Sequence, residues 1–234
     1  MKKMLTLLAI LALGATSALA SPASIDESGF GAGVDMGRAI FYSQVASGGP
    51  YNLSAGNSSV AYASEIADDI PASMAGQSFN QVGVYGIQWG AAGVTPNGLY
   101  ILIYNGDCPP DQVALTTYYF TWAEMTTVNQ NDPSYWIYYM EALLPAPVTI
   151  TAGMSIGFQM DTGNVQAAPY AGVLNTDIIY GCGEAYRDGA FWGYPRWTPY
   201  SETATTGPRD VAYSLGLEWV ATDNSTWSSV KALY

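Results

Sequence analysis

Residues 148–160 read VTITAGMSIGFQM. Apolar residues alternate with small or polar ones on both sides of Ala152-Gly153: Val148 and Ile150 before it, Met154, Ile156, Phe158 and Met160 after it. A period of two is that of a strand with one buried face, and a glycine between two such runs marks a reversal of the chain. The stretch is therefore two strands, joined either as a hairpin or as a corner. The same pattern recurs outward in both directions: RAIFYSQ (38–44), SVAYASEI (59–66), FNQVGVYGIQW (79–89), LYILIYN (99–105), ALTTYYFTW (114–122), YWIYYMEAL (135–143), AGVLNTDIIY (171–180) and DVAYSLGLEWV (210–220). No stretch past the N-terminal segment sustains a helical period, and TWAEMTTV (121–128) has room for one helical turn at most. About ten strands at near-regular spacing, without helical crossovers, predict an all-β protein: a single-domain antiparallel β-sandwich.

The N-terminal residues MKKMLTLLAILALGATSALA carry Lys2 and Lys3, a short apolar run, and Ala18-Leu19-Ala20. Charged start, apolar middle and A-x-A end are the parts of a secretory signal peptide, cleaved after Ala20. Residues 1–20 are thus expected to be a signal peptide. Residues 21–58 read as a Gly/Ser-rich segment holding one strand candidate, 59–221 as the sandwich, and 222–234 as a tail. No later apolar run nears the roughly 20 residues that a membrane-crossing helix needs, so no membrane span is expected in the mature chain. The expected location is secreted, extracellular or in the cell envelope.

Only 11% of the residues are charged, and 19 acidic residues against 7 basic ones give a formal charge of −12. Loss of Lys2 and Lys3 with the leader takes this to −14. Such a chain repels nucleic acid and anionic lipid, which excludes both as partners. With 49% hydrophobic residues it has material for one sizeable core, and its 18 tyrosines suit strands and amphipathic surfaces.

Three segments, EIADDIPASMAGQSFNQVGVYG (65–86), AYRDGAFWGYPRW (185–197) and RDVAYSLGLEW (209–219), resemble a family of secreted bacterial β-sandwich domains. These are jelly-roll-like and often carried on proteins with PEP-CTERM-type sorting tails. Ile70 stands where that family usually has an aromatic residue. The resemblance implies a jelly-roll-like sandwich and an extracellular setting, and it implies no reaction.

The chain has no histidine, which removes histidine-based catalysis and histidine-ligated zinc. Lys231 is the only lysine beyond the leader, close to the end of the sequence and poorly placed for Schiff-base chemistry. Carboxylates remain. Asp68 and Asp69 are adjacent, and neighbours on a strand point to opposite faces, so the two do not converge on one substrate. Two readings stay open for them: bonds to backbone N–H groups at a strand end, or, with Asp210 before the last strand, a structural calcium site. Two cysteines in an exported chain, Cys108 in GDCPP and Cys182 in YGCGE, are expected to form a disulfide.

The segment YRDGAFWGYPRWTPY (186–200) gathers rings and guanidinium groups. Its rings either close one end of the sandwich or form a platform for a sugar or a protein. The candidate recognition set is Tyr186, Arg187, Trp192, Tyr194, Arg196 and Trp197. Asn52, Asn57 and Asn224 stand in N-x-S/T triplets, which beside a bacterial-type leader read as chance matches.

These readings converge on an exported, non-enzymatic, structural or adhesive sandwich of the cell surface or extracellular matrix. The alternative is a carbohydrate-binding module with an aromatic platform and a structural calcium, whose partner is a polysaccharide or surface protein. A third reading, a glycoside hydrolase using carboxylates such as Glu184 and Asp188, requires two facing acids about 5–10 Å apart in a cleft.

Overall fold

The two runs of residues 148–160 enter different sheets. The computed structural model describes residues 38–44, 55–56, 64–89, 96–131, 136–161, 170–176, 179–183, 185–188, 193–199, 202 and 209–218. The leader, the tail, Glu184, Trp192 and the three N-x-S/T asparagines lie outside the described residues. Within them the strands are β1 (Arg38–Ser43), β2 (Ala55–Gly56), β3 (Ser64–Asp69), β4 (Ser78–Trp89), β5 (Gly98–Asn105), β6 (Thr116–Thr121), β7 (Thr126–Asn131), β8 (Trp136–Thr149), β9 (Met154–Asp161), β10 (Tyr170–Val173), β11 (Asn175–Thr176), β12 (Ala185–Asp188), β13 (Thr198–Pro199), β14 (Asp210–Val211) and β15 (Tyr213–Glu218).

One sheet has the order β1-β15-β4-β8-β7, with β10 also on β4. The other runs β13-β12-β3-β9-β5-β6, with β2 parallel to β9, and β11 pairs with β14 apart from both. Every other pairing is antiparallel. The protein is an all-β sandwich. Because β1 pairs with β15, the sandwich also draws on residues before position 59.

Residues 150–153 are a corner. They carry the chain from β8 in the first sheet to β9 in the second, and Gly153 (φ 72°) supplies a conformation that a Cβ opposes. A second corner, from β3 to β4, runs beside it through a single 3-10 turn, Ala72–Met74. The two are bonded to each other: Gly76 N–H donates to Ile150 O (2.9 Å), and Ile150 N–H donates to Gln77 O (2.8 Å). Since β3 pairs with β9 and β4 with β8, one antiparallel ladder folds over from sheet to sheet.

The alternating positions fill the space between the sheets. Phe79, Val82, Val84, Met140, Tyr213 and Leu215 from the first sheet meet Ile66, Leu99, Ile101, Ile156, Phe158 and Met160 from the second, all fully buried. A smaller cluster of Ala67, Leu102, Tyr104, Ala185 and Trp197 covers the outer face of the second sheet. Pro145 and Pro147 fall where the β4–β8 register shifts, between Phe79↔Val148 and Gln81↔Leu143. Proline has no N–H for the ladder, so the strand bulges there. The short turn expected in 121–128 is a 3-10 turn, Trp122–Glu124, closed by a capping box between Thr121 and Glu124. No helix among the described residues is long and apolar enough to cross a membrane.

Candidate functional site

The β3 strand puts its paired aspartates on opposite faces, as strand geometry requires. Ile66 belongs to the main core and Ala67 to the outer cluster, so Asp68 follows the first inward and Asp69 follows the second outward. Asp68 is 1% exposed, and its two oxygens accept the N–H groups of Asp69 and Val211, each at 2.9 Å. Asp69 accepts Cys182 N–H through Oδ1 at 3.1 Å. Asp210 is fully buried, and its Oδ2 accepts Tyr180 N–H and the Gln44 side-chain amide (2.9 Å). Each of the three carboxylates therefore ties a neighbouring segment to a strand end.

Burial raises the Asp210 carboxyl to about 6, against the lowering effect of its bonds from Tyr180 and Gln44. Burial also raises Asp69, opposed by the Cys182 N–H and assisted by nearby Asp107. The Tyr213 hydroxyl, pushed up by complete burial and by Asp68, donates to Asp69 O at 3.1 Å. Tyr42 packs against Tyr213 at a ring separation of 5.2 Å.

Calcium needs several oxygens converging on one point. Among the described residues, the group of three potential ligands that does converge is Asp69 with Cys108 and Cys182. The two sulfurs are bonded to each other, with Cα atoms 6.0 Å apart, so neither is available to a cation. Both oxygens of Asp68, Oδ1 of Asp69 and Oδ2 of Asp210 accept N–H donors, while Oδ1 of Asp210 is buried without a hydrogen-bond partner.

The aromatic segment departs from the platform reading at Trp197. This ring is 5% exposed, its Nε1–H donates to Asp111 O (3.0 Å), and it packs edge-on against Tyr104 at 5.4 Å. Arg187 covers it, with the guanidinium 4.5 Å from the ring centre. The indole is consumed as the lid of the outer cluster and has no face left for a ligand. Arg187 is equally engaged: Nη2 and Nε hold Glu65 Oε2 at 2.7 and 3.0 Å, Nη1 donates to Gln112 O, and Nη2 donates to Tyr104 Oη. Gly157 lies beneath this assembly, where a Cβ would come within 2.8 Å of the Tyr104 ring.

Of the remaining recognition candidates, Tyr194 is half-buried and Arg196 is exposed. The side chains of Tyr186 and of the hydrolase candidate Asp188 lie outside the described residues, although both backbones are in β12. Glu65 and Tyr104 were not among the sequence candidates. One signal does point to Tyr104: in LYILIYN both alternating sets are apolar or aromatic, the mark of a strand covered on both faces.

A different ring pair is open to solvent. Tyr119 on β6 is 41% exposed and lies 4.6 Å from half-buried Tyr100 on β5, with its hydroxyl donated to Asp161 Oδ2 at 2.9 Å. Partial burial and the adjoining carboxylate push that hydroxyl up to about 12. No protein-family model, curated protein or solved structure matches the chain.

Proposed function

We propose that the chain is an exported, non-enzymatic β-sandwich with a structural or adhesive role at the cell surface or in the extracellular matrix. The observation that carries this reading is how its chemistry-bearing groups are used. Asp68, Asp69, Asp210 and Arg187 are each engaged in holding segments of the sandwich to one another. The Cys108–Cys182 bridge supports an oxidising compartment. Expression of the full chain in a bacterial host tests it. The expected product lies outside the cytoplasm, has lost residues 1–20 and carries no free thiol. A product retained inside with both thiols reduced sinks the reading.

A second reading, a carbohydrate-binding module, is favoured by one observation: the exposed Tyr119 ring beside Tyr100, with Asp161 at its edge. Such rings supply rigid amphipathic contact area for a sugar face. A glycan array probed with and without calcium tests it. Retention lost on Tyr119→Ala at unchanged melting temperature supports it, and no retention of any glycan removes it.

A further inference from the structure

Among the described residues, one flank of the sandwich is an unpaired edge with little charge. β6 ends the order of the second sheet, and among the described residues it pairs with β5 alone. β7, which follows it, ends the order of the first sheet. Residues 112–131, QVALTTYYFTWAEMTTVNQN, contain no proline and one charged residue, Glu124. The Glu124 carboxylate is turned back into its own cap, accepting both the N–H and the hydroxyl of Thr121 at 2.8 Å. Edge strands in natural sheets are commonly protected by lysine, proline or inward-pointing charge. β6 carries none of these. The exposed apolar residues Val113 (79%), Leu115 (56%) and Tyr119 (41%) lead into it or lie on it.

The register shows which backbone groups are unpaired. Trp122 N–H donates to Asn97 O at 2.8 Å, one step beyond the pair Gly98↔Thr121. Counting back along an antiparallel ladder, Thr116, Tyr118 and Phe120 direct their N–H and C=O groups to β5, and Thr117, Tyr119 and Thr121 direct theirs away from it. The Glu124 bond to Thr121 N–H agrees with that phase. Thr117 and Tyr119 therefore each present an outward donor and acceptor.

We infer that β6 is a self-association edge, pairing antiparallel with β6 of a second copy about a two-fold axis near Tyr118 and Tyr119. The argument for a second copy is electrostatic. Two molecules of an exported chain at −14 repel, and residues 112–131 form a stretch whose single charge, Glu124, is held in its own cap, so two copies meet there with little repulsion. The strand is also its own complement. In that antiparallel arrangement the Thr117 and Tyr119 donors meet acceptors of the same strand, and Val113 and Leu115 run past its end beside residues 121–125 of the other copy. An isologous contact of this kind closes at a dimer and leaves neither β6 edge free. The inference goes beyond the proposed function and does not depend on it.

The test is the association state of the exported protein, by sedimentation equilibrium from micromolar to near-millimolar concentration. The expected wild type is a dimer that dissociates on dilution. In the dimer the amides of Thr117 and Tyr119 exchange slowly with solvent, and on dilution they exchange fast while Tyr118 and Phe120 stay protected. Thr117→Pro removes only an outward donor, and Tyr119→Lys places a charge at the edge; both are expected to be monomeric with unchanged melting. Should Thr117→Pro fail to fold, Tyr119→Lys and the exchange pattern decide. A wild type that is monomeric throughout the range overturns the inference, as does a dimer that survives both variants or protects neither amide.

Discussion

Arg187 lies over the Trp197 ring at 4.5 Å and grips Glu65 with two nitrogens, so one cation seals the outer aromatic cluster and pins β12 to β3. The pair is one-fifth exposed on each side, enough for solvent to weaken the charge attraction. The planar stack and the forked hydrogen bonds do not depend on that attraction alone.

Trp197→Ala is expected to cost about 3–5 kcal/mol, in the range of buried tryptophan truncations. Arg187→Ala is expected to cost about 1–3 kcal/mol, because Glu65 loses both guanidinium donors and keeps only the Tyr104 hydroxyl, and that hydroxyl loses the donor it accepts from. Arg187→Lys should recover little, since an ammonium neither stacks nor forks. Denaturant titration of the three variants checks this. A Trp197→Ala protein as stable as wild type would return the ring to the surface.

Asp210 sets an unusual pH dependence. Its carboxyl is raised to about 6 in the fold, so between the usual carboxylate range and that value the folded state holds a proton that the unfolded chain has released. Stability from this group is fully present below the unfolded value and is lost as pH rises toward 6. Asp69, also raised by burial, acts in the same direction. The denaturation midpoint is expected to be higher near pH 5 than near pH 7. Asp210→Asn, which keeps an acceptor for Tyr180 and Gln44, should flatten that slope. A midpoint that climbs steadily from pH 5 to 7 in the wild type counts against the assignment.

The bridge between Cys108 and Cys182 closes a long loop, with a sequence separation of 74. Loop-closure entropy assigns such a link up to about 4–5 kcal/mol. Its removal also loosens the Cys182 N–H bond to Asp69, so reduction and Asp69→Ala should be less than additive. A double-mutant cycle with Cys108→Ala/Cys182→Ala measures the coupling, and strict additivity refutes it.

Melting in calcium and in chelator should coincide, because Asp68, Asp69 and Asp210 do not converge on one point and each gives an oxygen to an N–H donor, of Val211, Cys182 and Tyr180 respectively. A calcium-dependent rise in melting temperature that Asp210→Asn abolishes would place a cation at this end after all.

Alternation made the strands of 148–160 legible, and their glycine made the break between them legible. Whether that break was a hairpin or a corner was not, because a period of two says which residues share a face and nothing about which sheet receives the next strand. The opposed faces of Asp68 and Asp69 followed from the same period. Their partners did not, since Val211 and Cys182 lie more than a hundred residues away and only tertiary register brings them near. The burial of Trp197 was hidden for a related reason. Pro195 and Gly193 mark an irregular loop, yet what buries Trp197 is the apolar outer side of β5, distant in sequence.

The doubled corner has a mechanical consequence. Two covalent segments, 70–77 and 150–153, cross from sheet to sheet side by side, kept parallel by the bonds between Gly76, Gln77 and Ile150. Tension that draws the sheets apart at this end is carried by peptide bonds in two strands of chain. Hydrogen bonds there bear load only when one crossing is dragged lengthwise past the other. The opposite end is tied as well, since residues 122–125 carry the chain from β6 in the second sheet to β7 in the first, so covalent chain resists separation of the sheets at both ends.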